Sequence, residues 1–500
     1  MQALKTLGHA LALSALAVGA ATGSVEALGH STLKGQISLK GQPVSGSSIT
    51  LWQTQAGQSP KQLSTHRSTK SGAFSVKVRA TPGVVHYLVA QGGEIGGSSA
   101  DQLTMLTVLG GDENQQVAIN ELTTVGSVWP NAQLLKGTAL EGSQSALTIG
   151  SSQVENLVDQ STGRFGATLL KSTNLLNSET AARMNVLSDL VALCGQPQQS
   201  QGCYQLLALT NSENTLSAMT SIARQPWKNT SALYELFQSS YPINQATQLR
   251  TTATAPYLLF QPKSFSLSLV FDGGGALALG KLMFDGKGSM WSGTNWMPGS
   301  QSGVVNNIGG GMTHFGPGGT PLSPAISGYN GQGINGVGWG TGVSDKYAWV
   351  GAFNNRVGVF DLKNGNALGP ATIDGEVGQL QGVATARNGD VWIADNTGNH
   401  MIQFPGGDYT QGKRHTIDGL QAPFGVAVDA RNRVWVSSSY NNKLTVFPGD
   451  APDQAKTIEV NLGARGVAID STGHVWIAQQ SNSPEGALPP GGKMPPNIPA

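Results

Sequence analysis

Charge is what this sequence has least of. Asp, Glu, Lys and Arg make up 12 % of its 500 residues, where a soluble protein usually carries roughly 25 %. The formal net charge is +1, so no global field draws the chain to nucleic acid or to an anionic membrane. No basic stripe interleaved with aromatics occurs either, and nucleic acid is not an expected partner. Cysteine is nearly absent, with two residues in all. Two thiols with no His beside them cannot build a zinc site. Beyond the N-terminus no apolar run approaches the ~20 residues of a spanning helix, which excludes a helical membrane anchor there.

Glycine is abundant instead, at 67 residues, with many short apolar runs among Ser, Thr, Gln and Asn. That balance points to a mainly β, multidomain protein working outside the cytoplasm. The first residues agree. Lys5 gives a positive start, Ala10 to Ala20 a short apolar stretch, and small residues offer cleavage after Ala20 or Ala27. Residues 1–27 therefore read as a signal peptide for a secreted or periplasmic protein. In an exported chain Cys194 and Cys203, with eight residues between them in a Gly/Pro/Gln-rich stretch, are expected to close a local disulfide.

Length suggests about three domains. In 33–92, alternating apolar residues such as Phe74-Val76-Val78 and turns at Gly-Gln-Pro-Val and Ser71-Gly72 mark short strands. Gly35, Pro43-Val44, Ser71-Gly72-Ala73-Phe74 and Tyr87-Leu88-Val89-Ala90 resemble the carboxypeptidase-regulatory-like β-sandwich, which implies a spacer or adhesion unit over 31–110. His66 and His86 are read as strand-surface residues. Residues 117–250 carry helical spacing. Met184, Leu187, Leu190, Val191 and Cys194 share one stripe behind Ser178 as N-cap, two further helices break near Pro226, and Asp189 and Glu235 are read as solvated. A connector follows at 251–264.

The rest of the chain repeats. Trp291, Trp349, Trp392, Trp435 and Trp476 are spaced by 58, 43, 43 and 41 residues, the period of β-propeller blades. Each unit offers a Gly-Val-Ala-Val-Asp strand, a polar turn, a Trp strand apolar on both faces and a third strand ending in Phe. A strand apolar on both faces belongs between two sheets, so the units must stack. The segments 382–404, 425–447 and 466–480 resemble the NHL-repeat family and, more distantly, the streptogramin-lyase and gluconolactonase-like propellers, across 265–488. This implies a C-terminal propeller of five to six blades. The first unit carries an insert at 303–324, with Met312, His314 and Phe315 as an overhanging lid or a loose loop. The fifth lacks a third strand before the Pro/Gly tail at 489–500. Strands from 264–271 complete a sixth blade, the ring is open, or the chain continues.

The NHL plan places two sets of residues on one face: Thr294, Ala352, Asp395, Ser438 and Gln479 after the Trp strands, and Gly280, Asn335, Gln381, Phe424 and Arg465 before the first strands. A lyase-like site requires a Glu, a His and a metal there; Asp395 is the one carboxylate. His400 is read as a strand-entry residue, and Asp429 and Asp470 as turn formers. The expected ligand site is Gln381, Asp395, Phe424 and Arg465, beside Tyr440. Phe424 serves as platform, Gln381 and Arg465 as donors and Asp395 as acceptor, with no catalytic residue, metal or cofactor. The expected function is an exported, non-catalytic binding or scaffold protein for a protein or carbohydrate ligand. The alternative is a metal-dependent propeller lyase or lactonase acting on a cyclic ester.

Exported protein is expected to begin after Ala20 or Ala27 and to weigh two hydrogens less than its reduced form by intact-mass analysis. Complete maleimide labelling of both thiols under native conditions would count against the pairing.

Overall fold

In the computed structural model the described residues are 31–110, 116–196, 200–294, 311–334, 336–369, 371–461 and 463–479. The signal segment, the tail, Asn335 and the first part of the insert lie outside them. The protein is mainly β, with few helices.

Two four-stranded sheets are formed by the described residues of 31–119. One orders Lys61–Arg67, Ser48–Thr54, Val85–Gln91 and Thr104–Val108. The other is built around Ser31–Leu39, which pairs antiparallel with Ala73–Val78 and parallel with Gln116–Ile119. The apolar side chains of Ala73–Val78 point to one face, with Phe74, Val76 and Val78 buried. His86 lies buried rather than on the strand surface, because both faces of Val85–Gln91 are covered.

Seven helices follow: α1 (Glu121–Asn131), α2 (Gln144–Leu157), α3 (Ser172–Leu175), α4 (Thr180–Ala192), α5 (Ser200–Thr210), α6 (Thr215–Arg224) and α7 (Thr230–Ser240). Asn120 and Asn214 cap α1 and α6, each accepting the amide N–H three residues on while a hydroxyl returns the bond, which satisfies orphan donors of the first turn. Ser178 does not cap α4; Glu179 holds that position without a side-chain bond. Cys194 extends α4 and is bonded to Cys203 on α5.

Buried residues from Leu33 to Phe265 form one continuous core, so sheets and helices pack as one body. Asp189 was expected in solvent and is fully buried. Its carboxylate meets the Lys40 ammonium at 2.5 Å and accepts from the Thr254 amide and hydroxyl. Three separate stretches are thus tied at one charge, and a buried carboxylate persists only with such partners. Residues 264–271 do not complete a sixth blade. They run along the helices, where Asn174 and Thr180 bond Val270 and Ser268.

Five units of antiparallel strands succeed one another, each connected in chain order. Among the described residues, units three and four have four strands, Leu380–Thr385 to Lys413–Thr416 and Pro423–Val428 to Lys456–Glu459; units one and two have three and unit five two. The first strands of units two, three, four and five pack side by side. Unit one rests on α2, whose Gln153 and Asn156 amides donate to Pro317 and Gly318 carbonyls at 2.7 and 2.8 Å. Within the insert, Met312–Phe315 is the third strand of unit one and is buried, not a lid. His314 stacks on Trp291 at 3.7 Å, and burial lowers its pKa to about 4.

Trp291, Trp349 and Trp392 are fully buried and Trp435 nearly so, whereas Trp476 is 65 % exposed. Alternate residues of Val475–Gln479 are open on that face. The indole N–H donates to the turn residue between strands one and two: Asp285, Ser344, Asp429 and Asp470 in units one, two, four and five. Unit three has Ala386 there, and the buried Trp392 Nε1 finds no partner among the described residues.

Truncating Trp392 to Ala is expected to cost about 3–5 kcal/mol through the cavity left behind. Trp476→Ala should cost no more than about 0.5 kcal/mol, as for an exposed side chain. Urea denaturation compares the two; equal losses would mean that the fifth Trp is also sandwiched.

Candidate functional site

In units two to five the first strand slips in register where it meets the second. The slip falls between Val337 and Thr341, Leu380 and Val383, Pro423 and Val426, and Ala464 and Gly466. These β-bulges re-aim one residue per unit: Trp339, Gln381, Phe424 and Arg465. Each is followed by glycine, and the spacing explains it. A Cβ on Gly340, Gly382 or Gly425 would come within 2.1, 2.0 and 2.0 Å of the next unit's Val383 amide, Phe424 carbonyl or Arg465 carbonyl. Only glycine lets neighbouring first strands approach so closely. The four bulge residues therefore form a ladder across units two to five.

Their contacts run along that ladder. Gln381 accepts from the Trp339 amide at 3.3 Å, while its buried Nε2 has no partner among the described residues. The Arg465 guanidinium lies over the Phe424 ring at 4.7 Å. Burial lowers the pKa of Arg465, and its Nε is likewise unpartnered among the described residues. Trp339 and Tyr440 are the open aromatics, 41 % and 39 % exposed.

Of the expected site residues, Gln381, Phe424 and Arg465 are brought into series. Three details differ from expectation. Gln381 is fully buried and presents no donor at the surface. Phe424 is no bare platform, since Arg465 covers it. Asp395 does not reach the surface: it is fully buried and its Oδ1 accepts the Gly378 and Gly398 amides at 3.0 and 2.9 Å. Thr294, Ala352 and Ser438, at the same register, are buried too. The position sits beneath the face because it pairs directly with the start of the first strand.

Trp339 was missed because Gly336 looked like the start of the second unit's repeat, which made Asn335 the counterpart of Gln381. Unit two carries an extra residue in its bulge, and Gly340 is the true equivalent of Gly382. Ser344, four residues after Gly340 as Asp429 is after Gly425, was the available signal. Asp429 and Asp470 take the roles expected, each accepting amides of its own turn. His400 opens a strand and contacts Thr416.

No protein-family profile matches the chain, and no curated protein matches it in sequence. Solved structures align with part of it. Virginiamycin B lyase from Staphylococcus aureus aligns at 14 % identity and a TM-score of 0.33, over 40 % of this chain and 63 % of that one. A nidogen–laminin complex aligns at 14 % and 0.33, over 48 % and 81 %. A streptogramin B lyase aligns at 14 % and 0.30, over 40 % and 62 %. This chain thus spans under two thirds of the length of the lyases. Among the described residues no three His, Cys, Asp or Glu side chains converge as metal ligands, and no helix is long and apolar enough to cross a membrane.

Burial raises the Asp395 pKa against the pull of its two amide donors. A carboxyl whose folded pKa is raised contributes stability below its unfolded pKa and loses it as pH rises through the folded one. Asp395→Asn keeps an acceptor and removes the charge. Its stability relative to the native chain should therefore be greatest at neutral pH, shrink as pH falls through the raised folded pKa, and level off below about 4, measured by urea unfolding of both proteins. A gap that widens in acid would refute the buried-charge account.

Proposed function

We propose that this chain is an exported, non-catalytic binding or scaffold protein, secreted or periplasmic, that presents a propeller of five to six blades to a protein or carbohydrate. In this reading residues 31–110 are a carboxypeptidase-regulatory-like β-sandwich acting as a spacer, and the helices of 117–250 mount the propeller. The disulfide supports an oxidising compartment. The observation that carries the reading is the ladder itself. At one structural position, successive units carry Trp339, Gln381, Phe424 and Arg465; Gln381 and Phe424 lie buried beneath, and Trp339 and Arg465 reach the surface as an aromatic and a hydrogen-bond donor, without a carboxylate. Such groups suit a ligand rich in acceptors, sugar hydroxyls or peptide carbonyls, and supply neither a general base nor metal ligands. Asp395, buried under two amides, plays no part in contact.

On arrays of glycans and peptides, binding by the mature chain is expected to survive EDTA. Trp339→Ala and Arg465→Ala should each weaken it by about 1–3 kcal/mol. Loss on chelation with recovery in Mg²⁺ or Ca²⁺ would move the reading to the lyase or lactonase class.

A further inference from the structure

The turns joining first to second strands lie at the opposite end of the units from the ladder. Between units two and three they bound a cleft of about 650 Å³, within the range of small-ligand sites. Its floor is Gly389, Gly406 and Gly407. A side chain on Gly406 would meet nothing within 4 Å, and Gly407 lies against the Trp349 ring. The floor is therefore flat, bare backbone on a buried aromatic. Asp390, itself buried, holds it in shape by accepting from the Gly406 amide at 2.8 Å and from Asn388 and Gln403 at 3.0 Å.

Two half-buried tyrosines stand at one wall, Tyr347 and Tyr409, edge to face at 5.8 Å. At the rim Asp345 and Arg387 are exposed and form no ion pair among the described residues. Asp408, by contrast, is committed to its own turn through Thr410 and Gln411. The cleft thus combines aromatic surface, a flat floor, an amide, a free carboxylate and a free guanidinium, with no excess of one charge.

We propose that this cleft is a binding site for a neutral saccharide. The apolar face of a sugar ring stacks on a tyrosine, as apolar C–H groups do on aromatic surface. Asp345, Asn388 and Arg387 take its hydroxyls, the carboxylate as acceptor and the guanidinium as donor. A strongly anionic glycan would meet Asp345. This site is separate from the ladder and does not depend on it.

The test is affinity electrophoresis of the mature chain in gels containing xylan, mixed-linkage β-glucan, glucomannan or mannan, followed by calorimetry with oligosaccharides of the retarding polymer. At least one polymer should retard the chain. Tyr409→Ala should weaken binding by about tenfold or more, and Arg387→Ala, fully on the surface, by several-fold, each change of tenfold being about 1.4 kcal/mol. Arg465→Ala, on the ladder, should leave retardation unchanged. Should Tyr409→Ala fail to fold, Arg387→Ala and Asn388→Ala carry the comparison. No retardation by any polymer, or retardation lost in Arg465→Ala but kept in the cleft variants, would overturn the saccharide cleft. The latter result would leave the ladder reading standing, and array binding abolished by neither set would remove both.

Discussion

The backbone contact at the inner edge of the units governs everything else in the C-terminal half. Where Gly340, Gly382 and Gly425 sit, the next first strand passes at a distance that leaves no room for a methyl group. That contact sets how far the units splay, and so which residues face one another across the gap. It forces the bulge, because a strand pressed against its neighbour at one point must step aside from its own partner. The bulge in turn delivers one side chain per unit to the same edge. Gly466 occupies the same place in unit five, and a Cβ there would meet only Ala478 of its own sheet.

Farther from the axis the tryptophans fill the space that the glycines leave. Each indole is large enough to bridge two sheets, as Trp392 does against Phe447 at 5.3 Å. Its N–H must then be satisfied, since an orphaned buried donor costs ~1–3 kcal/mol. The turn Asp does this while accepting its own loop amides, so one carboxylate closes the hairpin and fixes the ring. Asp429 also holds Arg433 at 2.6 Å. Unit three departs from this with Ala386. Its Asp390 instead braces Asn388 and Gly406, and the carboxylate has been moved from the tryptophan to the floor of the cleft.

Much of this was legible in the sequence because repetition is a strong signal. Trp spacing gave the units, and the apolar run Val391-Trp392-Ile393-Ala394 gave their burial on both faces, as found. The local disulfide also followed from two cysteines alone. What escaped depended on register. The run Gly336-Val337-Gly338 in unit two mimics the start of the repeat and moved the equivalence from Trp339 to Asn335, and no local pattern reports a bulge. Asp395 looked like a rim residue because strand alternation does not say how far a turn folds over it. Asp189 looked solvated because its partners, Lys40 and Thr254, lie far away in the chain. His314 sat in a glycine-rich insert that looked irregular, and only pairing with Met290–Gly293 makes it a strand.

The way α2 meets unit one has a mechanical meaning. Two amides of a single helix, Gln153 and Asn156, grip consecutive carbonyls of a tight turn at Pro317 and Gly318, and the helix is itself locked into the continuous core beneath. The backbone itself joins unit one to that core through residues 264–282, and the two side-chain bonds add a second attachment at one edge. Two attachments restrict the swing that one connector would permit, so the orientation of unit one, and of the units stacked on it through the glycine contacts, is set from the helix.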